Sequence, residues 1–446
     1  MHTKAKENNK LGKLFSSFLD TVNGFYDPAL FALLKRIASS SPSPTDVEVA
    51  WSLLGGWGNT GLSIPQAIPP ASPLSFPVDH GEHWDFTIEW HFLTLSLNLE
   101  GGGRVSAVII IFRKAIASPA SAPEGTTGFH RQIFSTSLGV TLEMPGKPTI
   151  HHAYPVVTLA PIVGGVEYGN DPFHLTVGEH SIKGSVDMFP LRLRTGGPSD
   201  PLAGRPEIKI DVECSAENPL FLQGKDGYVG SPGSPGPAYY YYSWANQPTA
   251  GVVTIDGHSH VAPSGLAWMD HQWGGAPVPA SPVKPGWSGW SWFEFEFDGN
   301  RGLTLACPHA DIVDGKLPAV VPGFGVFVDG KTSTFVDKAV LVVNKYTKSP
   351  NTDANYPSAW QLAIDSEDCK IKLAVSATTL CDQQSLWQGG LTEYAEAAVT
   401  VKAEGVIDGK HVVMAGVGYC ESVGFEDPSE ADTRRRAWLE SSLHRH

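Results

Sequence analysis

Two periodicities divide the chain. Over residues 11–38 apolar side chains fall at Leu14, Phe15, Phe18, Leu19, Val22 and Phe25, then at Leu30, Phe31, Leu33, Leu34 and Ile37. That spacing is helical, and it breaks at Pro28, which has no N–H to donate. Two short helices packed on the main body are predicted. Their polar faces are mixed in charge, unlike the Lys/Arg-rich faces of helices that lie on membranes. "SSSPSPTD" (39–46) and "IPPASPLSFP" (68–77) read as linkers.

Beyond the linkers the period becomes two. Leu93, Leu95, Leu97 and Leu99 alternate with Thr94, Ser96 and Asn98, and a glycine-rich turn leads into a second apolar strand. Similar hairpins recur at "VVTIDGHSHVAPSGLAWM", "SWFEFEFDGNRGLTLAC" and "VTVKAEGVIDGKHVVMAGVGY". In these, Asp256-Gly257, Asp298-Gly299 and Asp408-Gly409 are expected to supply the positive-φ positions of tight turns. No glycine-rich phosphate loop joins a strand to a helix, and no βαβ alternation is visible. Long antiparallel meanders must close or stack to hide their edges, so the body reads as an all-β sandwich or barrel arrangement. A division near residue 280, in "APVPASPVKPG", leaves two strand-rich halves, each opening on an aromatic–acidic strand: "IEWHF" (88–92) and "WSWFEFEF" (290–297). The expected organisation is an N-terminal helical segment and linker (1–75), a first barrel (76–280), a second barrel (281–430) and a C-terminal tail (431–446).

Composition narrows the function classes. The 47 glycines and 35 prolines exceed the usual share of roughly 12% and are spread throughout, as turns between many short strands require. A net charge of -14 with no basic run argues against nucleic acid, whose phosphates need a clustered Lys/Arg surface. Five dispersed cysteines, Cys214, Cys307, Cys369, Cys381 and Cys420, form no CxxC pair and suggest neither a disulfide framework nor a thiolate zinc site. No secretory signal or stretch of about 20 apolar residues appears. A cytoplasmic location is expected, with peripheral membrane contact by the N-terminal helices left open.

Four paired segments carry a family resemblance: "EWHFLTLSL" with "IIIFRKA"; "NPLFLQGKDGY" with "YYYYSWANQPTAGVVTIDG"; "SGLAWMDHQWGG" with "GWSWFEFEFDG"; and "YAEAAVTVKAEGVIDG" with "GVGYCESVGF". Together they resemble the carotenoid 1,2-hydratase (hydroxyneurosporene synthase) superfamily, often labelled AttH-like, over roughly residues 75–427. The Trp-Met-Asp-His-Gln-Trp-Gly block is the specific part. The resemblance implies two tandem lipocalin-like antiparallel β-barrels, a ligand site in or beside the first, and no cofactor or metal. It also implies water addition to a C=C bond of a prenyl, terpenoid or polyene substrate, or, as in fungal relatives, cyclisation of a polyene by a Diels–Alder reaction. A carrier of an apolar ligand without turnover is the third reading. The chain departs from the family at Trp90-His91, where paired tryptophans are usual, and at Tyr394-Ala395-Glu396-Ala397, where the family has Tyr-Trp-Glu-Gly.

Hydrating an unactivated alkene needs a proton donor, a positioned water and a wall that shields a carbocation. A buried carboxylic acid is the simplest donor. Asp270 is therefore the candidate acid, flanked by Trp268 and Trp273, whose π faces can exclude water and stabilise a cation. Alternation puts Trp268, Asp270 and Gln272 on one face and His271 and Trp273 on the other, so whichever face lines the pocket decides between Asp270 and His271. Glu89, two residues from His91, is the candidate second carboxylate, to orient water or hold Asp270 protonated. Its competing role is an ion pair with Arg113 across the hairpin. The expected substrate wall comprises Trp90, His91, Tyr240, Tyr242, Trp268, Trp273 and Trp292. His80, His83 and His91, His151-His152, and His258 with His260 match no metal-ligand spacing, so a metal-free site is expected.

Overall fold

The computed structural model describes residues 73–425, except 87, 116–128, 130–131, 155–156, 160, 162–163, 231–237, 276–288, 310–315, 350–353, 379–380 and 384–393. The predicted N-terminal helices, the 39–46 linker, the 276–286 linker and the C-terminal tail lie outside the described residues. A single 3-10 turn, Val78–His80, precedes the first strand. The rest is β-structure in two sheets.

The first unit contains β1 (Ile88–Asn98), β2 (Arg104–Ala115), β3 (Gln132–Glu143), β4 (Ile150–Ala153), β5 (Val157–Leu159), β6 (Val166–Asn170), β7 (Phe173–Val177) and β8 (His180–Ser185). It continues with β9 (Met188–Gly197), β10 (Ile208–Cys214), β11 (Phe221–Leu222), β12 (Tyr228–Val229), β13 (Ala238–Ile255), β14 (His258–Ala262) and β15 (Ser264–Gly275). The second unit contains β16 (Gly289–Phe297), β17 (Arg301–His309), β18 (Val321–Asp329), β19 (Thr332–Lys348), β20 (Asn355–Asp365), β21 (Cys369–Ala377), β22 (Cys381–Gln383), β23 (Tyr394–Ile407) and β24 (Lys410–Val423).

The strand order of the first sheet is β4-β3-β2-β1-β15-β13-β10-β9-β8-β7-β6. Among the described residues its two ends share no strand pairing, yet Phe134 of β3, Tyr168 of β6 and Phe173 of β7 meet in one core. The sheet thus curls round its apolar filling as a half-barrel. In the second unit β21 also pairs with β23, which closes an eight-stranded barrel of β16–β21, β23 and β24. In both units the first strand lies between the second and the last: β1 between β2 and β15, β16 between β17 and β24. The all-β body expected from the alternating pattern, and the tandem lipocalin-like arrangement that the family resemblance implied, are what is observed.

Leu93, Leu95 and Leu97 fill the first core, each stabilising by roughly 1.5–3 kcal/mol through burial. The alternate face of β1 is also buried, at Phe92 and Thr94, because it meets the second unit. This is where simple alternation misleads: a strand between two packed layers hides both faces. Phe92, Trp268 and Ala245 of the first unit pack with Val326, Ala398 and Tyr419 of the second.

Two of the three predicted Asp-Gly turns hold, with Asp256 (φ 47°) and Gly257 (φ 79°), and Asp408 (φ 48°) and Gly409 (φ 74°), in the left-handed region. At the third the pair shifts by one residue to Gly299 (φ 77°) and Asn300 (φ 58°), because Phe297 pairs with Arg301 across a three-residue loop. A left-handed residue bearing Cβ costs about 1–2 kcal/mol, which asparagine tolerates best. Asn300→Ala is therefore expected to lower unfolding stability by about 1 kcal/mol and Asn300→Gly to leave it nearly unchanged, as measured by denaturant titration.

Candidate active site

The inner face of the first sheet carries two rows of side chains across four adjacent strands. One row runs Arg113 (β2), Glu89 (β1), Trp273 (β15), Tyr240 (β13); the next runs Ile111, His91, His271, Tyr242. These rows are polar at their centre and aromatic around it. Most residues of a lipocalin-like core are apolar, so six polar groups in two adjacent rows require partners.

Glu89, only 1% exposed, is the hub. Its Oε2 accepts from Arg113 Nε at 2.9 Å and from the His83 backbone N–H at 3.2 Å. Its Oε1 lies 2.9 Å from His83 Nδ1, His271 Nε2 and Tyr168 Oη. Arg113 also donates to Phe86 O, Gln132 Oε1 and His83 O. Four of its five N–H groups thus hold the carboxylate, Gln132 and the 83–86 segment in place. The ion pair weighed for Glu89 and Arg113 from the hairpin is therefore present.

A carboxylate can only accept, which fixes the remaining protons. His271 Nε2–H donates to Glu89, and with this ring neutral its Nδ1 accepts from Tyr242 Oη at 2.8 Å, a hydroxyl that also lies 3.3 Å from the Asp79 carbonyl. Tyr242 Oη in turn accepts from His80 Nδ1 at 2.9 Å. On the other branch Tyr168 donates to Glu89, so His91 Nε2–H donates to Tyr168 Oη at 2.9 Å. His91 Nδ1 is left as a buried lone pair without a partner. The His91 ring stacks on His271 with centroids 4.0 Å apart.

Burial would raise the Glu89 carboxyl, but Arg113 and His83 outweigh it and hold the group well below its ordinary range. Burial works against the His83 imidazolium, yet Glu89 and Asp79 overcome it and raise its pKa. Burial depresses His271, with Glu89 partly opposing, and pushes His91 well down, helped by the repulsion that a second imidazolium stacked on His271 would meet. His80 falls to about 4 for the same first reason. Around its ordinary 6.5 the raised His83 is held as the imidazolium between Glu89⁻ and Asp79, with Arg113⁺ on the other Glu89 oxygen, beside three imidazoles shifted toward the neutral form. His83 also keeps 11% of its side chain exposed and lies flat on Trp273, 3.7 Å between centroids. Its Nε2 contact to Asp79 Oδ1 is 3.4 Å, long for a charge-assisted bond, so this N–H is the most transferable proton of the network.

His83, Glu89 and His271 also bring three potential metal-ligand atoms within 4.8 Å of one another. Their 2.9 Å separations match hydrogen bonds, and Arg113 already neutralises the shared carboxylate, which disfavours a dication there. The arrangement is better suited to moving protons.

Asp270 is placed elsewhere. It pairs in register with Phe92 and Ser243 on the outer face, at the junction with the second unit. Trp268 Nε1 and Tyr241 Oη donate to it at 2.7 Å, and Ser243 Oγ donates as well. Burial raises it to about 7 against the pull of those three bonds. The expected partnership of Glu89 with Asp270 does not occur: the two are three residues apart in strand register, an odd number, and point to opposite faces. Trp273 likewise turns away from Asp270, leaving Trp268 alone beside it. Trp90, Trp268 and Trp292 pack at the junction, with Trp292 edge-on to Phe92 at 5.1 Å, and do not face the inner network. His91, Tyr240, Tyr242, His271 and Trp273 do. Sequence reasoning passed over His83, Asp79, His80 and Tyr168 as site residues. The closeness of His80, His83 and His91 in sequence was a usable signal; Tyr168, which lies 79 positions from Glu89, gave none.

No curated protein sequence matches the chain. Among solved structures, an AttH candidate from Nitrosomonas europaea superposes with a TM-score of 0.60 at 21% identity, covering 81% of this chain and 100% of that one. Kievitone hydratase from Nectria haematococca superposes with a TM-score of 0.52 at 15% identity, covering 81% and 98%. At these identities the likeness is one of fold. The AttH-like family model matches residues 67–425, and the chain belongs to the AttH-like family.

Proposed function

We propose that the chain is a cofactor-independent enzyme that adds water to a C=C bond of an apolar prenyl, terpenoid or polyene substrate, with the Glu89-centred network as its acid–base centre. One observation carries this reading: His83, set between two carboxyl groups, and His91, with an unpartnered Nδ1, are joined through Glu89 and Tyr168 inside an aromatic-lined core. Hydration needs an acid and a base in one dry site. The substrate alkene meets His83 over Trp273. His83 Nε2 gives its proton to one alkene carbon, and the π faces of Trp273 and Tyr240 stabilise the cation on the other. Water attacks that carbon as its proton passes to His91 Nδ1; His83 keeps its Nδ1–H on Glu89 and is reprotonated at Nε2, on its partly exposed Asp79 side, from solvent, to which His91 gives up the proton it took. A conjugated or tertiary cation is the one an imidazolium can form, which favours prenyl and polyene substrates.

The pH profile follows from the same groups. His83 is raised, so the acid form persists through its ordinary value of 6.5 and is lost at higher pH. His91 is depressed, so the base form is lost only well below 6.5. The rate is expected to be highest in the window between the depressed His91 and the raised His83, which spans 6.5, and to fall on both sides.

Incubation with prenylated and polyene substrates in H₂¹⁸O, followed by mass spectrometry, tests the reaction class. Gain of one labelled water supports hydration. A product of unchanged mass but new retention time replaces it with cyclisation, and ligand bound and returned intact replaces it with a carrier.

A further inference from the structure

A second set of polar groups lies inside the closed barrel of the second unit, apart from the inner network. Along β16, Ser291 and the phenylalanines 293, 295 and 297 alternate onto the barrel interior. The phenylalanines fill it. At the end where β16 begins, the row across β17, β16, β24 and β23 is instead Cys307, Ser291, Ser422 and Ala395. No side chain in that row is larger than cysteine.

Three buried polar residues meet at this row: Ser291 is 0% exposed, Trp360 1% and His309 6%. His309 lies two positions beyond Cys307 on the same face, which makes it the diagonal neighbour of Ser291, roughly 7–8 Å away. Its ring takes the space that a Cβ on Gly289 would enter, 2.8 Å from His309 Cε1, and it meets Phe425. Trp360 stands edge-on to Phe293, the next inward residue after Ser291, with centroids 5.4 Å apart. The Trp290 backbone lies close to the imidazole, yet among the described residues neither His309 nitrogen, nor Ser291 Oγ, nor Trp360 Nε1 closes a hydrogen bond. Buried polar groups are paired as a rule, because an unpaired one is costly. Three of them around one row of small side chains point to a ligand that supplies the partners.

We propose that this end of the second barrel is a second binding site, for a small neutral apolar molecule that ends in a hydroxyl group. Its oxygen accepts from Ser291 Oγ–H and Trp360 Nε1–H and donates to the His309 lone pair, which uses the one donor and two acceptors of an alcohol. Burial lowers His309 to about 4, so near neutrality the ring has that lone pair to offer and carries no charge. The buried carboxyls of this unit, Glu294, Glu296 and Glu396, sit at the alternate positions and face the junction. An uncharged interior suits an uncharged ligand. Its apolar body lies over the row of small side chains, and a barrel of eight strands can hold one small ligand.

The test is an NMR titration of the full chain labelled with ¹⁵N-tryptophan, using geraniol as the alcohol and myrcene as a hydrocarbon of the same carbon number. Trp360→Phe assigns the indole N–H signal of Trp360, which reports on this barrel and not on the first unit. The expected result is a saturable shift of that signal with geraniol, a midpoint about tenfold higher for myrcene, and a midpoint for geraniol raised about fivefold to tenfold by Ser291→Ala, the worth of one hydrogen bond. His309→Phe is the second variant should Ser291→Ala fail to fold, and is expected to weaken geraniol to a similar degree. A Trp360 signal unmoved by millimolar geraniol overturns the proposal. So do equal midpoints for geraniol and myrcene, or a folded variant that binds geraniol as tightly as the wild-type chain.

Discussion

Glu89→Gln is expected to destabilise the fold by roughly 3–5 kcal/mol, the usual cost of stripping one partner from a buried ion pair, and to abolish turnover. Arg113 would be left as a buried cation facing a neutral amide, and Gln offers one acceptor oxygen where four side-chain donors now converge. The amide NH₂ would point a donor at groups that are themselves donating. Denaturant titration at neutral pH measures the loss. The same variant has a pH signature. The folded Glu89 pKa is depressed below its ordinary 4.5, so its stabilisation is fully present above about 4.5 and is lost as pH falls through the lower, folded value. The gap between wild type and Glu89→Gln is therefore expected to narrow under acid; a gap that does not change with pH would show that Glu89 is not ionised in the folded protein.

The second large effect is kinetic. His83→Gln is expected to lower kcat by about 10²–10⁴-fold, the range over which a positioned acid contributes, with a smaller change in KM. Gln preserves a donor toward Glu89 and a flat surface near Trp273 but carries no transferable proton. The variant should also lose the basic limb of the pH–rate profile, which a purely structural role for His83 would leave in place. Unchanged kcat with a raised KM would instead make His83 a substrate contact.

The alternation along β1, β13 and β15 revealed the strands, the faces and even the pairing of Glu89 with Arg113. What it left open was the direction each face looks. Both faces of β15 are buried, one in the first core and one against the second unit, so the tryptophans at 268 and 273 could not tell inside from junction. Asp270 therefore looked like the lumenal acid when it is a junction carboxylate held by Tyr241, Ser243 and Trp268. The hub at Glu89 draws Tyr168 from β6 and His83 from an irregular segment before β1. Such contacts are set by the curl of the sheet and not by any local pattern. The shift at Gly299-Asn300 has a similar origin, since loop length is fixed by strand register.

Turnover of one accepted substrate in H₂¹⁸O by wild type, His83→Gln and Asp270→Asn in parallel tests the central claim, that the inner Glu89 network and not the junction carboxylate does the chemistry. The predicted result is ¹⁸O-labelled product from wild type and from Asp270→Asn at comparable rates, adjusted for folded protein, and almost none from His83→Gln. Labelled product from His83→Gln with none from folded Asp270→Asn would contradict the account and return the acid to Asp270.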